Sequence, residues 1–492
     1  MSPVATAYDV TVVGGGHHGL VAAAYLARAG LSVLILERRD RVGGAIASID
    51  TFPGHPVSVS RYAALGAPLP VQLAADLDLD VPLRSQARQP DPPADAEAWT
   101  SFGDDLDALL AALAPTLLEP LPTERMVRDQ VPAEVWDDLV VQPLGGALER
   151  RFQDDAVRGL LAGDALGAGL SSLHDPALTQ NRSFLYRSLG RLADQWQVPE
   201  GGPAALGDAL TRAATKAGAE IVTGAGVSAI RGSDDEAEVT WHRGGESGTV
   251  RSRHVLGDVA PWVLRILMGE GEDPDTKPVG SWLFVNLLLD RLPAVGSGID
   301  PRVAFASTTY VCTEPARLEE AYATAVDAQL PILLPLRVEC PSLTDAAVLH
   351  DAPEGHHVLA VVASNVPASL FDRDHEARKA EAVDRALETL NQHLAEPITD
   401  CLTRDPSGQP CIAATTPQET EVELAMPGGH LSHGDLDWPW APNRARLETP
   451  AQQWGVQTDL GSVLVCGAGA RRGGALCGVA GHNAAQAVLA SR

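Results

Sequence analysis

The chain has 492 residues, of which 45% are apolar and 21% charged, so it can form a large core and is not a disordered or collagen-like protein. At about 150 residues per domain, this length predicts roughly three domains. The 64 acidic and 37 basic residues give a net charge of −27, which repels phosphate backbones and argues against a nucleic-acid-binding function.

The six cysteines form neither a Cys-x-x-Cys pair nor a Cys/His zinc spacing. We therefore expect reduced thiols, no metal site and a cytoplasmic location. The first eight residues lack a basic start and an apolar stretch, so no signal peptide is expected. No run of about 18 apolar residues occurs, so no transmembrane helix is predicted.

A strand, helix and second strand between residues 9 and 36 have the pattern of a dinucleotide-binding βαβ unit. Gly14 permits a tight turn after the first strand, Gly16 lets the backbone approach a pyrophosphate, and Gly19 lets the helix pack closely on the sheet. Glu37 ends the second strand, where an acid binds ribose hydroxyls. The order of these elements predicts a bound dinucleotide at the helix N-terminus.

The motif continues as Glu37-x5-Gly43-Gly44, which resembles the signature of the FAD-dependent amine oxidase and phytoene desaturase superfamily. Residues 8–48 are most similar to its branch of pyridine nucleotide-disulphide oxidoreductase domain-containing 2-like proteins. The resemblance implies FAD as the cofactor, with Gly43 and Gly44 close to its diphosphate.

The same resemblance implies two further contacts near the diphosphate. Of the three arginines after Glu37, Arg38 is the nearest candidate for a positive charge there. The backbone N–H of His17, in the first helical turn, is expected to bind the diphosphate; a flavin-tethering histidine is a further possibility.

The C-terminus resembles the terminal FAD motif of this superfamily. A short apolar strand leads into Gly467 and Gly469, which would lie along the ribityl chain. The helix after Gly478 would direct its positive end at the flavin ring. Ala468 stands where many relatives have an acid, so ribityl binding must come from elsewhere, and Cys477 is interpreted as a small apolar filler or a group facing the flavin.

A central block that begins near Trp196 resembles the middle of the cofactor domain, where the backbone of Val227 would bind the adenine. The predicted fold is therefore α/β: a Rossmann-like FAD-binding domain built from three separated segments (1–85, 195–265 and 450–492). Residues 86–194 are predicted to form a helical cap, with helices that include 148–161. Residues 266–449 are predicted to form a mixed α+β substrate domain with an antiparallel sheet.

Catalytic residues are harder to identify, because the cofactor carries the hydride chemistry. Tyr62 follows the second glycine motif, in a part of the chain that approaches the flavin in relatives. His433 and Asp435 lie in a glycine-rich segment and form either an acid–base pair or a turn whose polar groups cap local backbone.

The leading hypothesis is an FAD-dependent dehydrogenase, desaturase-like enzyme or oxidase acting on a small organic substrate, with a secondary metabolite favoured over a carotenoid. The alternatives are a redox-neutral flavin-dependent isomerase and a non-enzymatic FAD-stabilised partner protein. The sequence leaves open the electron acceptor (oxygen, a quinone or a protein) and the oligomeric state.

Overall fold

A computed structural model describes residues 4–60, 62, 69–84, 92, 94–192, 196–474 and 477–492. The strands are β1 (Ala7–Val13), β2 (Val33–Glu37), β3 (Ile49–Asp50), β4 (Ser58–Val59), β5 (Leu69–Pro70), β6 (Leu83–Arg84), β7 (Trp196–Pro199), β8 (Glu220–Thr223), β9 (Gly226–Gly232), β10 (Ala237–Arg243), β11 (Glu246–Gly257), β12 (Leu283–Leu289), β13 (Thr309–Val311), β14 (Leu336–Glu339), β15 (His357–Ala363), β16 (Ile412–Thr415) and β17 (Val463–Val465). The helices are α1 (His17–Arg28), α2 (Val71–Asp76), α3 (Ala96–Leu113), α4 (Glu124–Arg128), α5 (Ala133–Trp136), α6 (Leu144–Arg151), α7 (Asp155–Ala165), α8 (Thr179–Leu189), α9 (Gly202–Ala217), α10 (Pro261–Leu267), α11 (Pro301–Ala304), α12 (Pro315–Val326), α13 (Pro341–Thr344), α14 (His375–Asn391), α15 (Pro417–Leu424), α16 (Pro450–Trp454) and α17 (Val479–Ala490).

A seven-stranded sheet forms the first layer, in the order β8-β2-β1-β11-β10-β9, with β17 also paired to β11. Strands β8, β2, β1, β11 and β17 run parallel, whereas β9, β10 and β11 form an antiparallel meander. The strands come from the N-terminal, central and C-terminal parts of the chain. The predicted α/β fold, with a Rossmann-like sheet assembled from separated segments, is confirmed.

Helices α1 and α17 pack against each other on this sheet. A Cβ at Gly481 would lie 2.0 Å from the carbonyl oxygen of His18, so only glycine allows this approach. The apolar side chains of β1, β2, α1 and α17 are almost fully buried in one cluster. The last helix of the chain is therefore part of the same core as the first.

A five-stranded antiparallel sheet forms the second layer, in the order β13-β14-β15-β12-β16. Successive side chains on a strand point to opposite faces. One face, which includes Leu283, Leu336 and Val361, packs in the core that also contains side chains of α14. We call the opposite face the inner face; it carries Phe284 and Val362, which pack with Tyr62 from the cofactor side of the molecule.

Residues 96–189 are largely helical, from α3 to α8, and they have a core of their own. The prediction of one helix over 148–161 is wrong, because the chain breaks between α6 and α7. The side chain of Asp154 accepts hydrogen bonds from the backbone N–H groups of Ala156 and Val157, which starts a new helix there.

Arg472 connects the C-terminal segment to these helices. Its side chain is fully buried, and its Nη1 donates hydrogen bonds to the carbonyl oxygens of Thr116 and Glu119. Its backbone N–H donates to the hydroxyl of Tyr186. The C-terminal glycine segment is therefore fixed directly to the helical region.

Among the described residues, no helix is both long and apolar enough to cross a bilayer. All six cysteines are buried and free.

Candidate cofactor and substrate site

The first glycine loop lies between β1 and α1, at the carboxyl edge of the parallel strands. Gly14 has a φ of +98°, which glycine tolerates and other residues rarely adopt. A Cβ at Gly16 would lie 2.5 Å from Oδ2 of Asp258, and one at Gly19 would lie 2.8 Å from the same atom. The loop therefore has no room for side chains on the side where its backbone meets Asp258.

Asp258 directly follows β11 and contacts the first glycine loop. Its Oδ2 accepts a 2.9 Å hydrogen bond from the backbone N–H of Gly19. Burial raises the pKa of Asp258 well above its ordinary value, and the nearby Glu37 carboxylate raises it further. The hydrogen bonds from the backbone N–H groups of Gly19 and Gly16 act in the opposite direction and lower the pKa.

Glu37 is buried at the end of β2, where its two carboxylate oxygens bind backbone N–H groups. Oε2 accepts from Gly15 at 2.7 Å, and Oε1 accepts from Arg39 at 2.7 Å. The carboxylate thus fixes the first glycine loop to β2. Its predicted contact with ribose hydroxyls stays a prediction.

The second glycine motif lies directly on the first. The N–H of Gly43 donates a 2.7 Å hydrogen bond to the carbonyl oxygen of Gly15. A Cβ at Gly44 would lie 3.2 Å from Cα of Gly16. The two glycine segments can cross at this distance because neither carries a side chain.

The arginine that contacts this second motif is Arg39 rather than Arg38. Arg39 donates to the carbonyl oxygen of Gly44 at 3.4 Å and pairs with Glu423 at 3.0 Å. Arg38 is exposed and donates to the carbonyl oxygens of Val422 and Glu423, at the end of α15. The predicted contact of Arg38 with the diphosphate stays a prediction.

The C-terminal motif completes the edge of the sheet. A Cβ at Gly467 would lie 2.9 Å from Oδ1 of Asp258, and one at Gly469 would lie 2.3 Å from the Pro261 ring. Gly478, with a φ of +79°, is the N-cap of α17. Cys477 is buried in the main core, in agreement with its interpretation as a filler.

Val227 lies near the start of β9, beside the end of β2. The neighbouring residue Ala225 donates a 2.8 Å hydrogen bond to the carbonyl oxygen of Glu37. The position of Val227 at this edge is compatible with its predicted backbone contact to an adenine, which stays a prediction.

Four histidines gather beside the first turn of α1: His17, His18, His430 and His433. The rings of His17 and His18 lie 4.1 Å apart. Burial lowers the pKa of His17 and of His430 to about 4 and that of His433 to about 3. The imidazoles are therefore neutral near pH 7.

The expected pairing of His433 with Asp435 is not formed. The Asp435 carboxylate is 65% exposed and lies 3.9 Å from Nε2 of His430 instead. His433 is buried, with a positive φ of +63°, and its N–H bonds the carbonyl oxygen of His430. This tight turn directs the two side chains apart, and their catalytic roles stay predictions.

Tyr62 is buried in a small apolar cluster with Phe284 and Val362. Its ring packs edge-to-face on Phe284 at 5.4 Å, and its hydroxyl donates a 2.7 Å hydrogen bond to Glu423. Ala45, directly after the second glycine motif, packs against this cluster. The apolar end of the inner face therefore meets the cofactor loops.

The residues present fit a dinucleotide. Backbone glycines line the crossing loops, and the N-terminus of α1 provides N–H groups for an anion. Both nitrogens of buried His18 and the Nδ1 of His433 have no hydrogen-bond partner among the described residues. Buried polar atoms of this kind normally have partners, and a bound cofactor with many polar groups would supply them.

A second group of ligand-type side chains lies outside this site. The ligand atoms of His375, Glu376 and Glu419 lie within 4.8 Å of one another. Glu419, however, already binds Lys379 at 2.7 Å and caps α15 through the N–H of Thr416 at 2.8 Å. We assign no metal to this group.

Comparisons with known proteins agree with this geometry. Residues 12–66 match the family described as NAD(P)-binding Rossmann-like domain. The uncharacterized protein Rv0897c of Mycobacterium tuberculosis is 40% identical, over 98% of this chain and 97% of its own length.

Two more distant proteins are similar over nearly the whole chain. Pyridine nucleotide-disulfide oxidoreductase domain-containing protein 2 of Rattus norvegicus is 26% identical, over 98% of this chain and 93% of its own. The structure of wild-type putrescine oxidase bound to putrescine has a TM-score of 0.54 and 16% identity, and the match covers 99% of both chains. At this identity, the similarity to putrescine oxidase shows the fold alone.

These matches confirm the predicted Rossmann-type, dinucleotide-binding fold. The chain belongs to the same family as the uncharacterized protein Rv0897c of Mycobacterium tuberculosis, and it is similar over nearly its whole length to pyridine nucleotide-disulfide oxidoreductase domain-containing protein 2.

Proposed function

We propose that the protein is an FAD-dependent dehydrogenase or oxidase that removes a hydride from a C–H bond of an organic secondary metabolite. The observation that carries the proposal is the contact between Ala45, next to Gly43 and Gly44, and the buried cluster of Tyr62 and Phe284. A substrate on the inner face would thereby lie against the cofactor loops. Bound FAD supplies a hydride acceptor at its N5 atom.

The chain itself would bind and orient the cofactor. The N-terminus of α1 supplies N–H groups and a partial positive charge to the diphosphate. The raised pKa of Asp258 is compatible with this role, because it disfavours a carboxylate charge beside Gly19 that would repel a diphosphate. The N-terminus of α17, capped by Gly478, would stabilise negative charge near the flavin.

The apolar cluster would exclude water from the reacting C–H bond. Tyr62 is 7% exposed, Phe284 2% and Val362 5%. Dry surroundings strengthen electrostatic interactions and prevent side reactions of a developing cation.

Of the three predicted catalytic residues, Tyr62 has the best support. Its hydroxyl is hydrogen-bonded at the edge of this cluster, so it can orient a substrate polar group or hold a proton with Glu423. His433, with a pKa of about 3, is a weak base at neutral pH and is better suited to hydrogen bonding than to proton removal.

The test is to purify the protein, record its visible spectrum, and identify the cofactor released by heat. Candidate metabolites are then added without oxygen. The proposal expects loss of the flavin absorbance and a product lighter by two hydrogens. A folded, colourless protein that takes up no FAD would contradict it, and a product of unchanged mass would favour an isomerase.

A further inference from the structure

The strand register aligns five side chains in one row across the inner face. The paired residues are, in order, Tyr310, Arg337, Val362, Phe284 and Thr415. Neighbouring strands lie about 4.8 Å apart, so Arg337 is roughly 10 Å from Phe284. The row therefore begins with the polar residues Tyr310 and Arg337 and continues with the apolar residues Val362 and Phe284, which lie near the cofactor loops.

The polar end of the row meets helices α7 and α8. The carboxylate of Asp164 accepts hydrogen bonds from the Tyr310 hydroxyl and from Arg191. Nε of Arg187 lies 3.5 Å from Oδ1 of the same carboxylate. Two guanidinium groups thus share one buried acid.

Arg337 adds a third guanidinium group, paired with Glu339 at 3.4 Å. Counted over the residues that the structure describes, this cluster contains three arginines and two carboxylates, an excess of one positive charge. The side chain of Arg337 is only 14% exposed. An uncompensated charge in such a position is unfavourable unless an anion accompanies it.

The hydrogen bonds of the cluster are also incomplete. The buried Nε atoms of Arg187 and Arg337 each lie near one carboxylate oxygen, at 3.5 Å and 3.4 Å, but neither contact has the geometry of a hydrogen bond. Burial lowers the pKa of Arg337, and Arg187 and Arg191 contribute to that lowering. A carboxylate would supply both the missing charge and acceptors that match the guanidinium fork.

An aromatic path leads from this cluster to the cofactor side. The Arg337 guanidinium lies 5.3 Å from the centre of the Trp282 ring. Trp282 contacts Phe284 at 6.1 Å, and Phe284 contacts Tyr62 at 5.4 Å. An apolar body bound along this path would reach the apolar cluster that contains Tyr62.

We propose that the substrate is an organic carboxylic acid whose carboxylate binds Arg337, beside Arg187. Its apolar body lies along Trp282, which is only partly buried, and extends toward Phe284 and the cofactor loops. This inference rests on the proposed function for the reaction, but the anion site can be tested without turnover.

The experiment titrates the purified holoprotein with benzoate, phenylacetate and 4-phenylbutyrate, and with the corresponding neutral amides. Binding is followed by the change in flavin absorbance and by the shift in melting temperature. We expect the carboxylates to bind at least about ten-fold more tightly than the amides, since charge-assisted pairs are stronger than neutral ones.

Arg337→Met should lower the affinity for the carboxylates by about ten-fold or more and leave binding of the amides unchanged. The single variant leaves Glu339 without its partner. The double variant Arg337→Met/Glu339→Gln removes both charges and therefore has the same net charge as the wild type. Arg317→Met is the matched control, since Arg317 is exposed on α12 and pairs only locally with Glu320. It should bind the carboxylates like the wild type.

Equal binding of acids and amides, or full carboxylate affinity in both Arg337 variants, would overturn the anion site. The melting-temperature readout does not need flavin. A colourless protein that still binds carboxylates through Arg337 would therefore refute the proposed function and support the anion site.

Discussion

The hydroxyl group of Tyr62 donates a 2.7 Å hydrogen bond to Oε2 of Glu423. The other oxygen of that carboxylate binds Arg39, which also reaches the carbonyl oxygen of Gly44. The inner face and the second glycine motif are therefore joined through one carboxylate.

Tyr62→Phe should lower the free energy of unfolding by about 1–2 kcal/mol, because a hydrogen bond to a charged acceptor is lost. Denaturant unfolding measures this, and a double-mutant cycle with Glu423→Gln isolates the coupling. Tyr322→Phe is the control, since no hydrogen bond of the Tyr322 hydroxyl to a described residue is found. A coupling energy near zero would show that the contact contributes nothing.

Gly16→Val should abolish retention of the cofactor, because a Cβ there would lie 2.5 Å from Oδ2 of Asp258 and the branched side chain would distort the loop that approaches the diphosphate. The ratio of flavin to protein absorbance measures retention. Gly103→Ala is the matched control, because a Cβ at Gly103 has no heavy atom within 4 Å. Stoichiometric FAD in the valine variant would show that the diphosphate lies elsewhere.

Asp258→Asn should stabilise the cofactor-free protein increasingly as the pH rises. The raised pKa of Asp258 means that the folded protein keeps a proton that the unfolded chain releases. The contribution of Asp258 to the free energy of unfolding is therefore greatest below about pH 4, the pKa of the carboxyl in the unfolded chain. It is lost as the pH rises toward the pKa of the carboxyl in the folded protein. Thermal unfolding between about pH 5 and pH 8 tests it. If the melting temperatures of the wild type and of Asp258→Asn change with pH in parallel, the pKa of Asp258 is not raised.

The histidine cluster should make the protein sensitive to mild acid. The pKa values of His17 and His430 are lowered to about 4 and that of His433 to about 3, so their contribution to stability is present above about pH 6.5. It is lost as the pH falls through the folded values, because the unfolded chain binds protons first. His433→Asn should flatten the fall in melting temperature between about pH 6.5 and pH 4. An unchanged slope would show that His433 titrates normally.

The sequence predicted the parts of the site whose signals are local. Gly14, Gly16 and Gly19 identify their own loop, because each glycine is needed where it stands. The break at Asp154 was missed, since an apolar periodic pattern continues across it while one side-chain cap starts a new helix. The contact of Arg39 with Gly44 was not predicted, because the direction of its side chain depends on the bend after β2.

The arginine cluster was missed for a different reason. Asp164, Arg187, Tyr310 and Arg337 are distant in sequence and meet only through strand register and helix packing. A signal did exist in β14, where leucine and valine alternate with Arg337 and Glu339. Charges at every second position of a buried strand indicate a functional face rather than a core.

The packing of α17 on α1, with β17 beside β11, has a consequence for biosynthesis. A nascent chain exposes its first glycine loop early, but β17 and α17, which form the opposite wall of that loop, are translated much later. The coenzyme can be enclosed only after both elements have been synthesised, so premature termination anywhere before Val463 should yield a chain that cannot hold it.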